Sequence, residues 1–89
     1  MNFDSLGPFK GQHPGVFLHE EFEKRNISTS PFAMSIQVYP STLGAILKGK
    51  RSMNTDVGLK IEQAWGLEEG FLMILQVFYD IEKHKGNHK

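Results

Sequence analysis

The stretch from Ile27 to Arg51, ISTSPFAMSIQVYPSTLGAILKGKR, leaves the chain few ways to fold. It holds two short runs of helical apolar spacing, each with a proline near its start, and the second is closed by Gly49. Proline is tolerated in the first turn of a helix, where its missing N–H has no partner to lose, and is costly further in. The stretch therefore reads as two short helices joined by a tight turn at Gln37 and Val38. The first covers roughly Thr29 to Ile36, with either Ser28 or Ser30 as its N-cap; the second choice shortens it by about half a turn. Phe32, Ala33 and Ile36 point inward, and Ala33 is small enough for a close helix crossing. The next helix starts near Tyr39-Pro40 and runs to about Lys48, with Leu43, Ile46 and Leu47 inward and Pro40, Ser41, Gly44, Ala45 and Lys48 outside. Gly49 suits a left-handed stop, and Lys50 and Arg51 follow at once. Gly44, inside so short a helix, costs roughly 0.5 to 1 kcal/mol against alanine. Close backbone approach to another surface is one reason for it, drift another.

Eighty-nine residues make one domain with a modest core. A hydrophobic content of 39% and a charged content of 22%, without low-complexity tracts, describe a globular chain. The absence of cysteine excludes disulfides, thiolate zinc sites and thiol catalysis together. No run is apolar enough for a signal peptide or a membrane span, so the default expectation is the cytoplasm, and the Asn26-Ile27-Ser28 sequon is an accident. Ten cations balance ten anions, so affinity for a polyanion has to come from where charge sits.

Residues 1–12 mix Gly7, Pro8 and Gly11 with Phe3, Leu6 and Phe9, a composition that favours an arm over a helix, its aromatics Phe3 and Phe9 lying on the protein's own core or, as the alternative, on a partner. His13-Pro14-Gly15 opens the first helix, with Phe17, Leu18 and Phe22 on one side and Glu20, Glu21 and Glu23 on the other. His13 reads as a helix-start residue and His19 as a surface residue, because no ligand cluster at metal spacing accompanies them. Asn54 caps a fourth helix that ends at Gly66, with Gly58, Ile61, Ala64 and Trp65 on its buried stripe. A fifth runs from about Glu68 to Lys83, glutamates at its positive end and lysines at its negative end. Phe71, Ile74, Leu75, Phe78 and Ile81 form its inward face. Leu72, Met73, Val77 and Tyr79 are apolar as well, and this surplus asks for a second surface, most simply a copy of the chain across a two-fold axis. The domain thus spans 13–83, and 84–89 is a polar, frayed tail whose His84 and His88 are separated by Gly86 and Asn87 and do not suit a metal.

Two short helices, a tight turn and flanking cations make the layout of a helix-turn-helix at about 28–48, in which the second helix lies in the major groove and the cations hold phosphates. Between Gln37 and Lys60 the four cations Lys48, Lys50, Arg51 and Lys60 face Asp56 alone, so a neutral chain has one basic side. No nucleophile with an adjacent base, no paired inward carboxylates and no glycine-rich phosphate loop point to an enzyme.

The strings HPGVFLHEEF, ILKGKR, NTDVGLKIEQAWG and GFLMILQVFYDIE, with His13-Pro14-Gly15, Gly49-Lys50-Arg51 and the QxxYD pattern of Gln76 to Asp80, together resemble the HigA or VapI type of antitoxin. These are XRE-family, lambda-repressor-like helix-turn-helix proteins, and the resemblance covers about residues 13 to 82. It implies an all-α, five-helix domain without a cofactor. Such a chain forms a homodimer, binds double-stranded operator DNA in its own promoter, and neutralises a HigB-like toxin, an RNase of the RelE type. Carried over by position, Thr29 touches the DNA backbone, Tyr39, Pro40, Ser41, Thr42 and Ala45 face the bases, and Lys48, Lys50 and Arg51 meet phosphates. Two departures stand out. Gln37 occupies a turn position where the family usually has glycine, and must pay for any left-handed φ there. Pro40, Ser41, Gly44 and Ala45 stand where Gln or Arg is frequent, and none makes the bidentate base contact worth about 1 to 3 kcal/mol. The alternatives are a helix-turn-helix scaffold used as a protein-interaction module, or a stand-alone regulator without a toxin.

Overall fold

Four of the five helices end in one local device. After α1 (Pro14–Arg25), α2 (Thr29–Ser35), α3 (Pro40–Leu47) and α4 (Thr55–Trp65), the chain passes through a left-handed residue, Asn26, Gln37, Gly49 and Gly66 respectively. The N–H groups beyond it fold back on the last turn, as from Ile27 to Phe22, Val38 to Ala33, Lys50 to Ala45 and Leu67 to Glu62. Each reversal satisfies carbonyls that a helix end leaves open and turns the chain sharply enough to start the next helix. The result, in a computed structural model that describes residues 3–86 and their side chains from residue 6, is an all-α fold completed by α5 (Phe71–Gly86).

α3 packs against α1 and α2, and α5 closes the core against α4 and α1. Leu18, Leu43, Ile46, Ile61, Leu72 and Leu75 are wholly buried where these helices meet. Each such side chain contributes about 1.5 to 3 kcal/mol through removal from water. Ala33 is also fully buried, as expected of a small residue at the α2–α3 crossing.

The amino-terminal segment is more ordered than its composition suggests. Phe3–Phe9 forms 3-10 turns with a kink at Gly7, and Leu6 is buried in the shared core. Phe9 meets Phe17 edge-on, with ring centroids 5.3 Å apart, so it covers the protein's own interior; the Phe3 side chain lies outside those described. In α4, Gly58 and Ile61 are buried as expected, but Ala64 is exposed and Glu62 takes the inward position. Trp65 is half-buried, stacked on Phe32 at 5.1 Å and covered by the Arg25 guanidinium at 4.5 Å.

α5 departs furthest from the sequence expectation. It begins at Phe71, after Glu68 and Glu69, and its buried face is Leu72, Leu75 and Gln76. The apolar pattern runs around most of this helix, so periodicity alone could not choose the face; contact with α4 and α1 chose it. Leu72, expected at a dimer surface, is a core residue, and Ile81, expected inside, is 41% exposed. The helix continues through His84 to Gly86, so part of the expected frayed tail is helical, while His88 lies outside the described residues.

Gly70, just before α5, has no side chain to cap with, and α4 supplies a capping carboxylate. Glu62, 2% exposed, accepts the Gly70 N–H at Oε1 (2.9 Å) and the Leu72 N–H at Oε2 (2.8 Å). A carboxylate at the positive end of a helix satisfies two orphan donors and favours the dipole. Glu62→Gln, with a single acceptor oxygen, should destabilise the protein by about 1 to 3 kcal/mol in urea denaturation. An unchanged midpoint would count against this capping role.

Candidate nucleic-acid interface

The turn between α2 and α3 sets the angle of the outer helix. Gln37, at φ 60°, is its left-handed residue; its N–H bonds the Met34 carbonyl at 3.1 Å, and the Val38 N–H bonds the Ala33 carbonyl at 2.9 Å. Val38 and Ala33 are both buried, which supplies the apolar contact that accompanies this type of helix end. Lys60 reaches across from α4 and donates to the Gln37 carbonyl at 3.2 Å. The geometry is that of a glycine-preferring turn built with glutamine. Ser28 stands at the N-cap position of α2, which settles the choice between the two serines, although its hydroxyl makes no capping bond.

α3 starts with Tyr39 at the cap position and Pro40 in the first turn, again without a side-chain cap. Its first-turn N–H groups therefore lack the side-chain acceptor usual at a helix start, where an anion can serve instead. Leu43, Ile46 and Leu47 are buried, Tyr39 is 80% exposed, Ser41 is exposed, and Pro40, Thr42, Gly44 and Ala45 are half-buried. A Cβ added at Gly44 would meet nothing within 4 Å, so the protein's own packing does not require glycine there.

Charge on this side is arranged more sharply than the neutral total implies. Lys48, Lys50 and Arg51 are exposed and make no ion pair with any described residue. Lys60, counted on the basic side from sequence, is paired with Asp56 at 3.1 Å. Lys24 and Arg25 sit on Glu21, and Lys85 on Glu82. Many of the chain's charges thus cancel locally, while a cationic edge at the end of α3 does not.

The loop that carries this edge is tied down by residues distant in sequence. His13 accepts the Gly15 N–H at Nδ1 (2.8 Å), which puts the ring proton on Nε2, 3.0 Å from the Arg51 carbonyl oxygen. Gln76 Oε1 accepts the Met53 N–H at 2.8 Å, and its amide donates to Asp80 at 2.9 Å. The Tyr79 ring meets the His13 ring edge-on at 5.1 Å. Gly15 lets α1 approach α3 at all, since a Cβ there would lie 2.7 Å from the Leu47 carbonyl oxygen and nearer still to that of Ile46. The three short motifs of the sequence thus converge on residues 49–53.

No family model matches the chain. Among curated proteins it is 28% identical over 71 residues to virulence-associated protein I of Dichelobacter nodosus, covering 79% of this chain and 66% of that protein. It is 27% identical over 63 residues to the uncharacterized helix-turn-helix transcriptional regulator YddM of Escherichia coli K12, covering 71% and 67%. The match thus spans about two thirds of each relative's length. A Pseudomonas aeruginosa protein, solved in complex with its 18-base-pair operator DNA, superposes with a TM-score of 0.82 at 22% identity, covering 89% of this chain and 84% of that one. A Nostoc punctiforme protein described as an antidote of a plasmid maintenance system superposes with a TM-score of 0.83 at 24% identity, covering 89% and 87%. The chain thus shares the fold of these two solved proteins, and its sequence is similar to virulence-associated protein I and to a helix-turn-helix regulator.

The positions expected at DNA form two groups along the chain. Tyr39, Pro40, Ser41, Thr42 and Ala45 belong to the start and outer face of α3, and Lys48, Lys50 and Arg51 to its end and the loop beyond. Thr29, half-buried, opens α2. The four residues expected to cover a second copy do not share one surface. Leu72 is in the core, Tyr79 is half-buried against His13, Met73 packs on the core, and Val77, 50% exposed, has Ile81 for its exposed apolar neighbour. The supporting roles of His13, Gln76 and Glu62 were not legible as contacts in the sequence, although the first two lie in its motifs. Among the described residues no group of three or more His, Cys, Asp or Glu could hold a metal, and no helix is long and apolar enough to cross a membrane.

Two stability changes test this geometry. Gln37→Gly should stabilise the protein by up to about 1 kcal/mol by relieving the left-handed φ. Gly44→Ala should add about 0.5 to 1 kcal/mol, because nothing in the fold obstructs a methyl group there. Chemical denaturation measures both, and a loss of stability in either would contradict the local geometry described.

Proposed function

We propose that this protein is an operator-binding antitoxin: a regulator that docks α3 in the major groove of DNA in its own promoter and neutralises an RNA-cleaving toxin of the RelE type. The observation that carries the reading is the set of cations Lys48, Lys50 and Arg51, without an ion pair among the described residues, at the end of a helix whose Ser41 is exposed and whose Thr42 and Ala45 are half-buried. Phosphates would be met by these side chains and by the first-turn N–H groups of α3, with Thr29 at the start of α2 as a further backbone contact. Ser41 and Thr42 would offer hydroxyls to base edges, and Ala45 a methyl surface to thymine. Much of the sequence preference would then come from DNA shape. A dimer would place two copies of α3 about 34 Å apart, one turn of duplex, or a multiple of it. The solved Pseudomonas aeruginosa and Nostoc punctiforme proteins support the two halves of the reading, one by its operator complex and the other by its description as an antidote.

A second reading, an interaction module that binds a toxin without reading DNA, is favoured by the absence of any bidentate base-reading side chain at Pro40, Ser41, Gly44 and Ala45. Gel retardation separates the two. The antitoxin reading expects a preferred site in promoter DNA, an affinity that falls as salt rises, and a salt slope lowered by about one unit in Lys50→Ala. Equal binding to every duplex, or a tight toxin complex with no DNA shift, would favour the module.

A further inference from the structure

We propose that His13 and Gln76 are positioning residues for nucleic-acid binding: they hold the loop after α3 so that Lys50 and Arg51 are presented in a fixed arrangement beside the outer face of that helix. The proposal rests on the DNA-binding reading above.

Residues 50–54 connect two helices at the surface, and all except Met53 are exposed. Such a segment is mobile by default, and ordering each residue costs about 1 to 2 kcal/mol of backbone entropy, which binding would otherwise have to offset. The Lys50 and Arg51 side chains have no ion pair with described residues to place them, so their main chain does. That main chain is held at two points. His13, at the start of α1, takes the Arg51 carbonyl, and Gln76, on α5, takes the Met53 N–H. Both side chains are more than nine-tenths buried, so water competes weakly for these bonds. Each is itself oriented, His13 by the Gly15 N–H and the Tyr79 ring, Gln76 by Asp80. The ordering cost is therefore met during folding, and the cations meet phosphates pre-arranged.

A purely stabilising role would predict the same bonds, so the test is a double-mutant cycle on DNA affinity rather than on stability. His13→Asn keeps a capping oxygen for the Gly15 N–H but is too short to reach Arg51; Gln76→Met keeps length and volume but lacks the acceptor. Operator affinity is read by fluorescence anisotropy on proteins whose helical circular dichroism matches the parent. Each variant should bind about tenfold more weakly, and Lys50→Ala, expected to cost the parent about tenfold, should cost either variant less than about threefold. Amide exchange on the parent protein gives a reading independent of any variant, and the Met53 N–H should be protected to the same degree as core helix amides. Parental affinity in a folded variant, equal losses from Lys50→Ala in all backgrounds, or an unprotected Met53 amide would each overturn the proposal while the DNA-binding reading stands. A parent protein that binds no duplex would overturn both.

Discussion

The backbone of α1 lies against the last carbonyls of α3 at Gly15, closer than any side chain would permit. This contact fixes where the helix-turn-helix sits relative to the rest of the domain, and the His13-Pro14-Gly15 motif is built around it. Proline opens the helix, glycine admits the neighbour, and histidine turns back to cap the first turn while holding Arg51. One short motif thereby joins the rigid body of the protein to the loop that carries its cations. The dependence is steric at its root: with a Cβ at residue 15, α1 would have to move away from α3, and the reach of His13 to residue 51 would go with it.

Buried polar side chains do the remaining alignment. Glu62 and Gln76 are buried at 2% and 3% exposure; Glu62 is satisfied by the Gly70 and Leu72 N–H groups, and Gln76 by the Met53 N–H and the Asp80 carboxylate. Such groups add little net stability when paired and cost much when unpaired, so they penalise alternative packings more than they favour the native one. In a small domain whose α5 is apolar on nearly every side, that penalty matters. Rotating α5 to bury Ile74, Phe78 and Ile81 instead would leave the Met53 N–H, and the Gly70 and Leu72 N–H groups, without their acceptors.

Zero net charge and a cationic edge are compatible because the balancing carboxylates, such as the exposed Glu20 and Glu23 of α1, lie on other elements, while ion pairs at helical i, i+3 and i, i+4 spacing engage Lys24, Arg25, Lys60 and Lys85. Lys48, Lys50 and Arg51, without an ion pair among the described residues, follow a helix whose Ser41, Gly44 and Ala45 carry little or no side chain. A shallow, small-residue face with cations at its end suits close approach to a groove and reliance on backbone contacts over base-by-base readout.

The all-α class, the positions of the first four helices, the tight turn at Gln37 and the stop at Gly49 were all determined by the sequence. Prolines, caps and left-handed residues act within a few residues of themselves, so local chemistry suffices to place them. The left-handed φ at Gln37 is a case in point: the turn demanded it whatever residue occupied it. The candidate DNA contacts from Tyr39 to Arg51 are neighbours in the chain, so their grouping needs no tertiary information. Only the tertiary structure decided which face of α5 is core, that Leu72 is buried and Ile81 is not, that Leu6 completes the interior, and that Glu62 caps a helix other than its own. It also decided that His13 and Gln76 meet around one loop. These are contacts between residues 8 to 38 positions apart, or choices between equally apolar faces, and neither spacing nor composition carries that information; it arises only when the helices pack.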